Sequence, residues 1–359
     1  MRYVIVTGEA SGDQIGAAIA LALKVQDPNA QIYAMGGQEL IRAGADIVQD
    51  HTDLAVMGLT SLPKKLIQIR RAYHQLRSTI DRIRPDVIVY VDFAGFNLKL
   101  GRWTKSKRYK NIYIAPPKTW ASRDWRNRAI RRDFDLLITL FPFAHEYFLS
   151  QGLNSQFYGH PLVSSLRSAK ANSNQNSSIL LAPGSRVQEI ESIMPILREL
   201  IVQSPQHNFV VSKISNLSPS IYSSYLEGVE NVTLSEEALQ NLLPQAQMAI
   251  ITSGTATLEA AIIGVPQVVI YRTSSLNYFF AKKLIKTKYI SLPNLILDKT
   301  VVPELIQAEL TSSKLIEAMA TIGHRKKTIQ ADYTQIKEFY NQINPSEQIA
   351  SAILDLINR

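Results

Sequence analysis

The feature that most narrows the fold is a recurring unit: a short apolar run that breaks at a Gly-, Ser- or Asp-bearing turn and restarts as a helix pattern. Tyr3–Thr7, Gln31–Met35, Asp86–Val91, Asn111–Ile114 and Asp135–Leu140 are such runs in the first half. Ile179–Ala182, Asn208–Lys213, Val232–Leu234, Met248–Ile251 and Pro266–Tyr271 follow in the second. Runs with little polar alternation are buried on both faces, as parallel strands are when crossover helices cover them. Strands alternating with helices make the class α/β. The polar, low-complexity stretch Ser168–Ser178 has too little apolar surface to fold alone, so it divides the chain. Residues 1–167 then form one parallel-sheet domain, 168–178 a linker, 179–340 a second such domain, and 341–359 an amphipathic helix packing back on the first. At 359 residues the chain is long enough for two cores. The expectation is two Rossmann-like domains of similar size facing a cleft.

Between Lys64 and Arg84, Leu66, Ile69, Tyr73, Leu76, Ile80 and Ile83 alternate spacings of three and four, which is one stripe of an amphipathic helix. Leu54–Leu62 ahead of it is apolar and carries no charge, and either packs under a helix or touches something greasy. The net charge of +9 is concentrated: from Ser61 to Arg132 there are 19 Lys and Arg against four acids, so this stretch carries +15 and the remainder −6. Such a face suits nucleic acid, an acidic membrane or a phosphorylated substrate. With no cysteine, disulfides and thiolate metal sites are excluded. No run of 18 apolar residues exists and the opening strand is too short for a signal peptide, so a cytosolic or membrane-surface protein is expected.

Candidate chemistry falls at strand ends. In Gln247–Glu259 a strand breaks at Thr252-Ser253-Gly254 and restarts as a helix near Ala256. Its first amides and dipole suit an anion, Ser253 and Thr255 offer hydroxyls, Gly254 lets a ligand approach, and Glu259 can accept sugar hydroxyls. An ordinary capped corner reads the same way. Asp92 ends its strand, followed by an irregular loop to Asn97, and is either a general base with a raised pKa or a cap paired with local arginines. Ala115–Arg123 is a stiff loop with two prolines and Trp120, His160 sits in a Gly-His-Pro turn, and Arg186 follows a Gly-Ser turn as a bidentate diphosphate clamp. Ile290–Ile296 is a loop with Asn294 among apolar neighbours. Glycines at 8, 12 and 16 miss the dinucleotide spacing, so NAD and FAD are poor ligands.

Together these motifs resemble the lipid-A-disaccharide synthase family, glycosyltransferases of GT-B-like architecture. The resemblance rests on Gly8-Glu9-Ala10-Ser11-Gly12-Asp13, Ala55-Val56-Met57-Gly58, Asp92 with Phe96-Asn97, Trp120 with Arg123, Gly159-His160, Pro183-Gly184-Ser185-Arg186, Ser253-Gly254-Thr255-Ala256 with Leu258-Glu259, and Ser291-Leu292-Pro293-Asn294-Leu295 with Val302 and Glu304-Leu305. It implies transfer of 2,3-diacylglucosamine from UDP to the 6-hydroxyl of 2,3-diacylglucosamine 1-phosphate, inverting the anomeric carbon and releasing UDP. Asp92 would be the base, with His160 beside it. Arg186, Ser253, Gly254 and Thr255 would hold the diphosphate, Glu259 the ribose and Asn294 the diphosphate region. Ser11, Met57, Asn97, Trp120 and Arg123 are substrate-loop candidates.

The resemblance also implies no cofactor and no divalent metal, no nucleic-acid partner, an anionic membrane surface on the cytoplasmic face of the inner membrane, and room for a homodimer. Asp133-Phe134-Asp135 spells a D-x-D but precedes its strand, at the amino edge, and reads as accidental. Departures from the family cluster in the first domain: Ser61 for Glu, Ala94-Gly95 for Pro-Asp, Ser122 for Trp, and Ser164 close to where the family has Asp. The alternatives are a transferase for another glycolipid acceptor, an inactive relative, and a UDP-sugar epimerase sharing the second half.

Overall fold

The computed structural model describes residues 1–50, 62–164, 166, 178–214, 217–274, 278, 287–341 and 344–358. Met57, Gly58, Ser61 and nearly all of the 168–178 stretch lie outside them. The chain forms two compact units, Met1–Ser164 with Gln342–Arg359, and Ser165–Asn341.

The first unit is built on strands β1 (Arg2–Val6), β2 (Gln31–Gly36), β3 (Asp46–Asp50), β4 (Val87–Val91), β5 (Lys110–Ile114), β6 (Leu136–Thr139) and β7 (Ser155–Phe157). All pair in parallel, in the order β3-β2-β1-β4-β5-β6-β7. Residue alternation in β1 sends Tyr3 and Ile5 into one core layer and Val4 and Val6 into the other. The helix Leu62–Ile83 covers the second layer through Tyr73, Leu76, Ile80 and Ile83, as its stripe predicts. The first layer is closed by the helix Ala10–Gln26 and the last helix, Pro345–Asn358, whose Ile349, Ala350, Ala352 and Ile353 are buried. Lys110 Nζ donates to the carbonyls of Leu356 (2.6 Å) and Ile357 (2.9 Å), capping that helix with positive charge at its negative end.

The second unit has strands β8 (Ser178–Ala182), β9 (Asn208–Ser212), β10 (Val232–Ser235), β11 (Met248–Thr252), β12 (Gln267–Tyr271) and β13 (Glu304–Ile306), in the parallel order β10-β9-β8-β11-β12-β13. In both sheets the chain winds outward one way and then the other. The reversal lies between β1 and β4 in the first unit and between β8 and β11 in the second. Open parallel sheets bind ligands in the crevice that such a reversal leaves at their carboxyl ends.

Several segments differ from expectation. The helix after β1 starts at Ala10, so Ala10–Asp13 is its first turn rather than a loop. Phe93–Asn97 is also mostly helix, Ala94–Ser106, because Gly95 and Asn97 fall in a first turn where neither interrupts packing. Ile290–Ile296 contains the helix Leu292–Leu297, with Pro293 in the first turn, a position that needs no amide hydrogen. Ser178 belongs to β8, not to a linker. The edge strands β3 and β13 carry only half-buried residues beyond Asp46 and lack the continuous apolar run that marks inner strands.

Candidate active site

β4 delivers Asp92 to the carboxyl edge beside β1. Asp92 and Phe93 both take left-handed backbone, φ 48 and 50, at about 1–2 kcal/mol for each non-glycine residue. Three hydrogen bonds hold the turn: the Asp92 amide donates to the Ile114 carbonyl (3.0 Å), and the Asp92 carbonyl accepts from the Tyr113 hydroxyl (2.7 Å) and Asn97 Nδ2 (2.7 Å). The Phe93 ring stacks on Phe96 at 5.2 Å and lies over Gly8, where any Cβ would run into it. Position 8 is glycine because that ring occupies the space. The Asp92 side chain reaches solvent, yet crowding protein desolvates its carboxylate and raises its pKa; Lys118 opposes this and Glu9 adds to it.

Of the other expected residues in this unit, Asn97 is fully buried and its Nδ2 donates to the Asp92 carbonyl, so it positions the turn. Ser11 is exposed on the first turn of its helix. Arg123 is exposed, with φ 60, at the head of a short 3-10 turn, Asp124–Arg126. Trp120 and His160 are joined by rings: Trp120 packs edge-on against Phe143 (4.8 Å), Phe143 stacks on Phe141 (5.7 Å), and Phe141 leans on His160 (6.2 Å).

His160 lies inside the first unit. It is 2% exposed, its Nδ1 accepts from the Leu162 amide (3.3 Å), and burial lowers its pKa to about 4. The Nδ1 contact fixes the turn, and Nε2 is buried without a hydrogen-bond partner among the described residues. A depressed pKa means that the unfolded chain binds the proton more readily, so stability is full above the ordinary imidazole value of 6.5 and is lost as pH falls towards 4. Chemical denaturation against pH should show up to about 3 kcal/mol lost across that window. The slope should shrink in His160→Gln, and an unchanged slope would refute the assignment.

In the second unit, Gly184 adopts φ +125, and a Cβ there would approach Glu189 Oε2 to 2.6 Å. Glu189 accepts from the Ser185 amide (3.1 Å) and lies 3.5 Å from Arg186 Nη1. The Arg186 guanidinium, 70% exposed, is therefore presented at the start of the helix Val187–Gln203. Next to it in the sheet, β11 ends at Thr252 and the helix Thr255–Ile263 begins. Gly254 and Thr255 are exposed, leaving the positive end of that helix open. Gly254 has extended backbone, φ 165, and open space about it, so the seat does not depend on a left-handed glycine. Ser253 Oγ donates to the Ile290 carbonyl (2.7 Å). Glu259 is partly buried, and burial raises its pKa, with Gln240 opposing.

Asn294 lies inside the second unit. It is fully buried; Nδ2 donates to the Val302 carbonyl (3.0 Å) and Glu304 Oε1 (2.8 Å), while Oδ1 accepts from the amides of Val301 and Val302 (2.9 Å each). With its amide satisfied by protein, it braces the segment rather than contacting diphosphate. The hub is Glu304, one of the residues that carry the resemblance but one given no role by the sequence. Its carboxylate also accepts from the amides of Ile290 (3.0 Å) and Ser291 (2.9 Å) and from Ser291 Oγ (2.6 Å). At the amino edge of the first sheet, Asp133 is held by Arg132 and Asp135 by Lys105 and the Asn111 amide, so the D-x-D carboxylates are engaged in structure.

The family model described as lipid-A-disaccharide synthetase matches residues 3–357. The chain belongs to this family. A lipid-A-disaccharide synthase of Trichlorobacter lovleyi is 34% identical, covering 100% of this chain and 98% of its own length. That of Syntrophus aciditrophicus is 30% identical, covering 99% and 98%. Among solved structures, UDP-GlcNAc 2-epimerase from Neisseria meningitidis, bound to UDP-GlcNAc, superposes with a TM-score of 0.70 at 14% identity, covering 99% of this chain and 100% of that one. Identity that low speaks for the shared GT-B-like fold alone. Within the lipid-A-disaccharide synthetase family, this chain's Ala94 and Gly95 lie in the first helical turn after Asp92, and Ser122 in the loop after Trp120.

Proposed function

We propose that the chain transfers 2,3-diacylglucosamine from its UDP carrier to the 6-hydroxyl of 2,3-diacylglucosamine 1-phosphate. Asp92 takes the hydroxyl proton, the freed oxygen pair attacks the anomeric carbon from the face opposite the diphosphate, and the bond to UDP breaks with inversion. Arg186 and the open helix start at Gly254-Thr255 bind the departing diphosphate, and Glu259 holds the ribose hydroxyls. The observation that carries this reading is a carboxylate of raised pKa, fixed in strained backbone at the strand reversal, in a chain of this family. The test is incubation with both sugar lipids while following UDP release. Release that depends on the acceptor supports transfer; turnover of UDP-N-acetylglucosamine without acceptor would favour an epimerase.

The substrates are lipids, and we place the enzyme on an anionic membrane surface at the cytoplasmic face of the inner membrane. Among the described residues no helix is long and apolar enough to cross a membrane. Trp125, 68% exposed, stands with Arg126 over its ring at 5.5 Å, and the two suit a headgroup layer. Sedimentation with anionic vesicles should fall on added salt and weaken in Trp125→Ala. Equal binding by the variant would move the contact elsewhere.

A further inference from the structure

We infer that a hollow on the first unit, next to the Asp92 turn, seats an acyl chain of the acceptor, with the acceptor's phosphate on its rim. This deepens the transferase reading and rests on it. The walls are Ile69 and Tyr73 from the helix Leu62–Ile83, and Phe93 and Phe96 from the turn and helix after β4. The space is about 210 Å³, below the roughly 300–1,000 Å³ that encloses a whole small ligand. It fits one segment of chain, not an entire glycolipid.

Three properties of the hollow specify its occupant. The walls are aromatic and aliphatic, with no carboxylate among the lining residues. The charged members are Arg70 and Lys99, both exposed. Lys99 Nζ is 4.7 Å from the centre of the Tyr73 ring, whose face steadies the ammonium at the mouth. Neither cation belongs to an ion pair described for this unit, so each is available to an anion. Finally, Phe93 is covalently next to Asp92, and its ring is fixed by Phe96 and Gly8. An apolar tail, an anionic group and a hydroxyl needing a base are thus served by adjoining residues. An acylated sugar phosphate carries all three.

Gly95 supplies the test, because it lines the hollow and a Cβ there meets nothing within 4 Å. Gly95→Leu adds bulk at the lining of the hollow, on an exposed first helical turn, without displacing protein. With donor saturating, it should raise the acceptor KM by at least about tenfold, leave kcat and donor KM unchanged, and reduce the preference for long over short acyl chains. Arg70→Gln with Lys99→Gln should raise KM for the 1-phosphorylated acceptor and not for its dephosphorylated analogue. Thermal unfolding verifies the fold of each variant. A folded Gly95→Leu with unchanged acceptor KM, or with donor KM raised instead, overturns the assignment. If the wild type releases no UDP with this substrate pair, the transferase reading fails; the hollow is then judged by equilibrium binding of diacylglucosamine 1-phosphate to wild type and Gly95→Leu, where equal affinity rejects it.

Discussion

Asp92→Asn should cut kcat by about 10²–10⁴-fold, the contribution of a positioned general base, and leave UDP affinity unchanged. Asparagine tolerates left-handed backbone and keeps the hydrogen bonds to Ile114, Tyr113 and Asn97, all of which use the main chain at position 92. The loss therefore reports on the carboxylate itself. The wild-type pH profile has a definite sign: only ionised Asp92 accepts a proton, so activity falls as pH drops through a pKa that desolvation has raised. Lys118 draws that pKa down, so Lys118→Met should move the acid limb of kcat/KM to higher pH. Full activity in Asp92→Asn would remove the base from the mechanism.

Glu304→Ala should be the most destabilising single change around the second sheet's carboxyl edge, at about 2–5 kcal/mol. It strands the amides of Ile290 and Ser291 and the Ser291 hydroxyl without their acceptor, and leaves Asn294 Nδ2 with the Val302 carbonyl alone. Removing one partner from a network of hydrogen bonds to charge costs far more than the network's net worth. The damage should also reach the donor seat, since Ser253 Oγ is anchored on the Ile290 carbonyl. Donor KM should rise while acceptor KM holds. Chemical denaturation and hydrogen exchange over residues 287–297 check the prediction; unaltered protection there would show that the hub is not what holds the segment.

The inner strands were legible because burial on both faces leaves an apolar run, as in β4, where all five residues are buried. The places of Asp92 and Arg186 were legible for a related reason: each follows such a run, at the carboxyl edge of its sheet. What escaped depends on partners distant in sequence. Nothing near Glu304 announces four donors from Ile290, Ser291 and Asn294. Asn294 looks like a ligand in a linear reading because polar residues in apolar surroundings suggest function, and only burial with every amide atom satisfied shows it to be internal. Phe93 gave no signal either, since its consequence comes from Gly8, which lies 85 positions earlier in the chain.

The final helix carries a consequence for biosynthesis. The sheet of the first unit is fully translated by Phe157, yet one of its core layers includes Ile349, Ala350, Ala352 and Ile353. All of the second unit emerges from the ribosome in between. The portion of the chain made first is therefore the last to be completed: until residues 349–353 are made, the layer that the helix Ala10–Gln26 covers in part stays open beside it.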